Sequence, residues 1–247
     1  MTLIHLIFAL LLYPSPSGTT FSYEPGDREF SRMNYLRAIA LYDSVLATSA
    51  DSVVVLWRMA RAVTCLADTA ALENRLGFYK QAKAFATRSV RADSMNSEAH
   101  AWLAAALGNI AMFEGGETKV KLCRVIRKEL DVAIKLDPRN DVAYSILGSF
   151  YKALGDVSWI EKQLAGMLLG GIPEGGYEES DVAFRRAIEL APDVIRNHYE
   201  LGRVYLCQDR NGEALAEFHK VLLLPVSVRK DHQMQHSAQR LATGMEK

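Results

Sequence analysis

His232 and His236 stand four positions apart near the end of the chain, a spacing that sets two imidazoles on one helix face and can hold a divalent metal. A protein zinc site needs at least a third ligand, and none lies nearby; the His-Glu-x-x-His pattern occurs nowhere. Two surface histidines are the plainer reading. The run Gly170-Gly171-Ile172-Pro173-Glu174-Gly175-Gly176 has the glycine content of a phosphate loop. It lacks the Gly-Lys-Ser/Thr ending that would meet phosphate and magnesium, so it reads as a connector. No serine sits in a Gly-x-Ser-x-Gly elbow, and no cysteine has a histidine beside it. Cys65, Cys123 and Cys207 are widely spaced and odd in number, which argues against a disulfide framework or a thiolate metal site. They read as small buried hydrophobes. The sequence therefore implies no catalytic set, no metal and no cofactor.

What remains is chemistry suited to binding. Lys121, Arg124 and Lys128 recur at helical spacing, with Lys119, Arg127 and Lys135 nearby. Such a stripe is usually a solvated outer face; its functional reading is docking to an acidic partner, screened by salt beyond about 8–10 Å. Further polar candidates have meaning only on a scaffold, and the scaffold is legible in a repeat.

Ala133-Ile134-Lys135-Leu136-Asp137-Pro138 is followed by Tyr144-x-x-Leu147-Gly148-x-x-Tyr151. The same marks return downstream as Ala187-Ile188-Glu189-Leu190-Ala191-Pro192 and Leu201-Gly202-x-x-Tyr205, at a fixed offset. Gly148 and Gly202 would let two helices approach closely, with Leu147, Leu201, Tyr151 and Tyr205 filling the buried face. Pro138 and Pro192 would end the preceding helices. The pattern resembles the tetratricopeptide repeat, a helix pair of about 34 residues. Leu201, Gly202, Tyr205, Ala214, Phe218 and Pro225 fit that length, with Asn211-Gly212 as the turn. The preceding unit carries Tyr144 to Tyr151 at its start and Ser180, Phe184, Ala187 and Pro192 at its end, so about 20 extra residues divide its helices.

In order along the chain, residues 1–18 read as a signal peptide, with 19–27 as a polar connector. The apolar run Leu3 to Tyr13 precedes Pro14-Ser15-Pro16-Ser17-Gly18 and is too short to cross a bilayer as a stable helix. A short membrane-associated or buried segment is the alternative. One helix is expected from Arg28 to Ala47, where Ala38 and Tyr42 fit second-helix positions. Pairs follow at Ser52–Leu66 with Leu76–Arg91, and at Ser97–Phe113 with Thr118–Leu136. In the second of these pairs Gly108 takes the close-contact position and Gly115-Gly116 the turn. Asp141–Leu154 begins the enlarged unit. Its insertion, 156–176, opens on Ser158-x-x-Glu161, which has capping-box spacing, and predicts an added helix from Trp159 to Leu169. A capping helix is expected near Asp231 to Met245. All seven prolines fall outside the predicted helices.

The fold class is therefore all-α: a tetratricopeptide-like helical repeat solenoid, an α-α superhelix of about four degenerate units over residues 28–245. Such stacks curve, and first helices line the concave side. Counted from each Leu-Gly pair, the residues left over from packing are Asn109, then Ser145, Ser149 and Lys152, then Arg196, Tyr199 and Arg203, with Asn197 beside them. These are the groove candidates, suited to a peptide carboxylate or backbone. Composition agrees with a soluble binding protein. The chain of 247 residues is 49% apolar and 23% charged, and 29 Lys plus Arg balance 29 Asp plus Glu, so no global field favours nucleic acid or anionic membrane.

Val157-Ser158-Trp159-Ile160-Glu161-Lys162, followed by Ala165-x-Met167-Leu168-Leu169, resembles the regulator of microtubule dynamics family in its bacterial-type members. The resemblance covers roughly Lys83 to Ala242, including the Glu114-Gly115 turn and the Ala187 to Pro192 ending. It implies the repeat fold and binding rather than catalysis. A fainter resemblance is to periplasmic tetratricopeptide subunits associated with solute transporters. The expected function is a non-catalytic scaffold for a protein or peptide partner, in a secreted or periplasmic setting, with a cytoplasmic one as the alternative. A small-molecule or transporter-accessory binder using a pocket beside Trp159 is the other reading.

Overall fold

The structure is a computed structural model that describes residues 22–50, 52–158, 162, 166 and 171–246. The expected signal peptide, and the expected helix from Trp159 to Leu169 with its pocket, lie outside the described residues. Among those described there are eleven helices and no strand. In chain order they are α1 (Glu24–Ser31), α2 (Tyr35–Leu46), α3 (Val53–Thr69), α4 (Leu72–Ala92), α5 (Ser97–Glu114) and α6 (Gly116–Leu136). After these come α7 (Asp141–Gly155), α8 (Tyr177–Leu190), α9 (Ile195–Cys207), α10 (Asn211–Leu223) and α11 (Arg229–Met245). The first ten form five antiparallel pairs, and α11 packs on the last pair.

The pairs begin at recurring caps. Asn96 and Asn140, 44 positions apart, each accept a hydrogen bond from the amide three residues on, at 3.0 Å from Ala99 and 2.8 Å from Ala143. Ser52 holds the N-cap position of α3 another 44 positions upstream, without a side-chain capping bond. Asn140 also donates to Ser97 Oγ (2.8 Å), which in turn donates to the Ala133 carbonyl (2.8 Å), so neighbouring pairs are stitched through their caps.

Close contact falls where glycine meets an aromatic ring. A Cβ on Gly148 would stand 2.7 Å from the Phe184 ring and one on Gly202 2.7 Å from Phe218, while one on Gly26 would overlap the Tyr42 ring. Gly108 is different: nothing lies within 4 Å of its missing Cβ. The cap spacing of 44 aligns Gly148 with Ala104 and then with Ala60, both fully buried. The corresponding second-helix positions hold Leu130 and Ala86 instead of a ring. The expected register for α5 is therefore one turn late, because smaller side chains opposite leave room for alanine.

Two further expectations are corrected. The helix expected over Arg28–Ala47 is two helices, broken at Met33, whose φ of 62° is left-handed, and the chain is already helical at Glu24. Pro25 sits in the first turn of α1, where a missing N–H leaves no helical bond unmade. With Gly26 against Tyr42, α1 and α2 form a fifth pair where about four were expected. The link between α3 and α4 is also shorter than the expected loop, since α4 starts at Leu72.

First helices touch first helices: α3 meets α5, α5 meets α7, and α7 meets α9. Second helices α4, α6, α8 and α10 make no comparable contact with one another. A stack whose first helices are nearer neighbours than its second helices must curve with the first helices inside.

Candidate functional site: the inner wall of first helices

The seven predicted groove residues all lie on α5, α7 and α9, and the structure joins two of them across neighbouring helix pairs. Arg196 Nη2 donates to Ser149 Oγ at 3.5 Å, across the boundary between the fourth and fifth pairs. Ser149 Oγ donates its own hydrogen bond to the Ser145 carbonyl (3.0 Å). Arg203 is exposed and leans on its neighbours Glu200 (3.4 Å) and Tyr199. Asn109 is half-buried. Four of the seven thus meet in two contacts, Arg196 with Ser149 and Arg203 with Tyr199, whose ring also packs on Phe218.

The rest are placed differently. Ser145 is buried. Lys152 is buried with its ammonium on Asp156 (3.3 Å), whose other oxygen accepts from Tyr177 (2.7 Å). Its role is to tie α7 to the start of α8. Asn197 is completely buried and presents nothing to a ligand.

Residues not singled out from sequence extend the wall towards the N-terminus. Arg58 and Arg61 on α3 both bind Asp27 of α1, at 2.9 and 3.0 Å, and their guanidinium groups lie over Tyr23, Trp57 and Phe30. Burial tends to raise the Asp27 pKa, but hydrogen bonds from Tyr42 and Arg58 outweigh it and hold the carboxyl below its usual range. On α5 the Trp102 indole donates to Glu98 (3.1 Å), whose carboxyl burial pushes upward. Asp27, Arg61, Ser149 and Arg203 share one register position. Aligning the helix caps 44 residues apart would have found Arg58 and Arg61; aligning on Leu107-Gly108 could not.

The wall is closed at its far end. The Arg229 amide donates to Tyr35 Oη (2.9 Å) and Lys230 reaches Asp68 (3.2 Å), so the start of α11 touches α2 and α3. Asp68 also accepts from Tyr79 (2.8 Å). Cys65, on the same stretch of α3, has its thiol pushed up to about 12 by burial, which keeps it protonated.

Outside the wall, His232 and His236 are exposed, and among the described residues no group of three or more His, Cys, Asp or Glu could hold a metal. No helix among them is long and apolar enough to cross a membrane.

With this geometry in hand, the comparisons with known proteins are decisive on one point. The family model described as "Regulator of microtubule dynamics protein 1-3" matches residues 23–246. The chain belongs to this family. Human regulator of microtubule dynamics protein 2 is 29% identical over 199 residues, which is 80% of this chain and 48% of that protein. Mouse regulator of microtubule dynamics protein 1 is 29% identical over 197 residues, 77% of this chain and 64% of that protein. The chain thus spans about half the length of the human relative it matches. Among solved structures, a thermophilic TPR protein in Thermus thermophilus aligns with a TM-score of 0.66 and 18% identity, over 90% of this chain and 97% of that one. That likeness places the family member in the tetratricopeptide fold.

Proposed function

We propose that this chain is a non-catalytic interaction scaffold that binds a peptide or protein partner along the inner wall of its first helices. The observation that carries the reading is the contact between Arg196 and Ser149, which makes one polar patch from two units at the inner side of the curve. A guanidinium held on a neutral hydroxyl keeps donors for a carboxylate or a backbone carbonyl. Arg203, two turns further along α9, adds a second cation; Trp102, half-buried on α5, offers an apolar surface to a side chain. The relatives are named for microtubule regulation, and a cytoskeletal protein is one partner that the reading accommodates.

The test is a random peptide display library panned against the purified chain, with affinities of enriched peptides read by fluorescence anisotropy. The double substitution R196A/R203A is expected to weaken them at least about tenfold, the loss typical of removing charge-assisted bonds. No enrichment, or enriched peptides indifferent to the double substitution, would sink the proposal.

A further inference from the structure

The chain balances its charges overall, so a local excess of one sign calls for a reason. Such an excess lies on α6, a second helix, on the side of the stack away from the inner wall. A trough of about 350 Å³ runs along it, lined by Arg124, Arg127, Lys128, Asp131 and Lys135, with Pro173 as its other wall. Pro173 is fixed in place because its neighbour Ile172 packs into the core, and Gly175 lies against the Tyr151 ring. Asp131, the carboxylate in the trough, is already bound by Arg127 (2.8 Å), which also donates to the Tyr151 hydroxyl. Lys128 and Lys135 are exposed and have no acidic partner among the described residues.

We propose that this trough docks an acidic segment of a partner protein. The trough is long: Arg124 and Lys135 are separated by a helical rise of about 16 Å, room for several residues of a partner segment. Its charges select acidic side chains: Lys128 and Lys135, the exposed pair without an acidic partner, lie two turns apart, a rise of about 10 Å, within reach of carboxylates on one segment, while Arg127 stays fixed by Asp131.

The experiment uses the whole chain and a fluorescent peptide of five Glu-Ser repeats, read by anisotropy, with a Lys-Ser peptide as control. Binding of the acidic peptide is expected at low salt, weakening as salt rises. K128E/K135E, two exposed positions, should reduce it at least about tenfold. R240Q, the loss of an exposed cation on α11, should leave it unchanged, which separates the trough from general surface charge. Phosphatidylserine vesicles, tested by co-sedimentation, should not bind. Absence of peptide binding, binding indifferent to K128E/K135E, or vesicle binding lost with the same pair would each overturn the proposal. Should K128E/K135E lower helix content, K128Q/K135Q replaces it: weakened binding supports the site and unchanged binding refutes it.

Discussion

His100 and His198 occupy the same position, the fourth residue of the first helix, in the third and fifth pairs, and each is held the same way. Nδ1 of each faces a second-helix glutamate at 2.6 Å, Glu129 for one and Glu217 for the other. Nε2 of each faces the carbonyl six residues before it, Ser94 at 3.0 Å and Pro192 at 2.8 Å. The fourth pair has Tyr144 and Ala183 there, and the second pair has Leu56 and Phe85. The polar bridge is thus one of two ways to fill this site, the other being apolar.

A carbonyl can only accept, so Nε2 of His100 must carry a proton, and an ionised Glu129 asks for a second on Nδ1. That hydrogen bond, opposed by burial, holds the His100 pKa above its ordinary value. Because the folded value is raised, the bridge contributes fully below pH of about 6.5, the unfolded value, and is lost as pH rises through the folded value. Thermal melts from pH 6 to 9 should therefore show stability falling with pH in the parent chain. The fall should flatten in H100Q, which keeps a donor but cannot titrate; parallel profiles would refute the assignment. Glu217 sets the acid side: burial raises its pKa, but hydrogen bonds from His198 and Lys220 outweigh this and leave it low. Its contribution is present above the unfolded value of about 4.3 and lost as pH falls further.

The two kinds of glycine predict opposite effects of one methyl group. G148A sets a Cβ within 2.8 Å of three Phe184 ring atoms and should cost about 1–3 kcal/mol. G108A meets open space inside a helix and should gain up to about 1 kcal/mol. The third pair, with Ala104 and Leu130, supplies the rescue: G148A/F184L should recover much of the loss. Urea melts decide it, and equal effects at both glycines would remove the aromatic contact as the cause.

Gly148 and Gly202 were legible because each repeats with its flanking leucine and tyrosine and meets a ring that forbids a side chain. Gly108 looked alike and misled, since Ala104, the true counterpart, is an ordinary helix residue that carries no signal. The break at Met33 was hidden for a related reason: a left-handed methionine is not announced by its type, whereas Gly115 with φ of 65° is. In the site, spacing puts Ser149 and Arg196 on the same wall but aligns Ser149 with Arg203, so the contact between Ser149 and Arg196 was not legible. Lys152 was misjudged despite a visible sign, an aspartate four residues on that could pair with it. Arg58 and Arg61 were missed because their partner, Asp27, lies in a stretch that reads as a connector.

Asp27 joins three elements, accepting from Tyr42 of α2 and from both arginines of α3. D27A would leave two partly buried guanidinium groups without their carboxylate, at a cost of about 1–3 kcal/mol. The damage should be local, since α1 and α2 form the terminal pair. Trypsin should then cut at Arg28 or Arg32 faster than in the parent chain, while E24Q, an exposed change on the same helix, leaves the rate alone. Unchanged cleavage in D27A would show that packing of Gly26 on Tyr42 suffices to hold the pair.

Lys230 and Asp68 test whether α11 holds the two ends of the stack together. The ion pair is partly exposed, 38% for the lysine and 12% for the aspartate, so a double-mutant cycle with K230E and D68K should give only about 0.2–1 kcal/mol of coupling. The Arg229 amide bond to Tyr35 Oη is the more buried tie, and Y35F removes its acceptor. If these contacts close the wall, Y35F/K230E should raise amide hydrogen exchange in α1 and α2 and along the exposed edge of α3. Exchange in α5 and α6, whose packing involves neither residue, should stay as it was. A uniform rise across all helices would instead mean that the pair of changes lowers global stability, and α11 would then be a cap on the last pair alone.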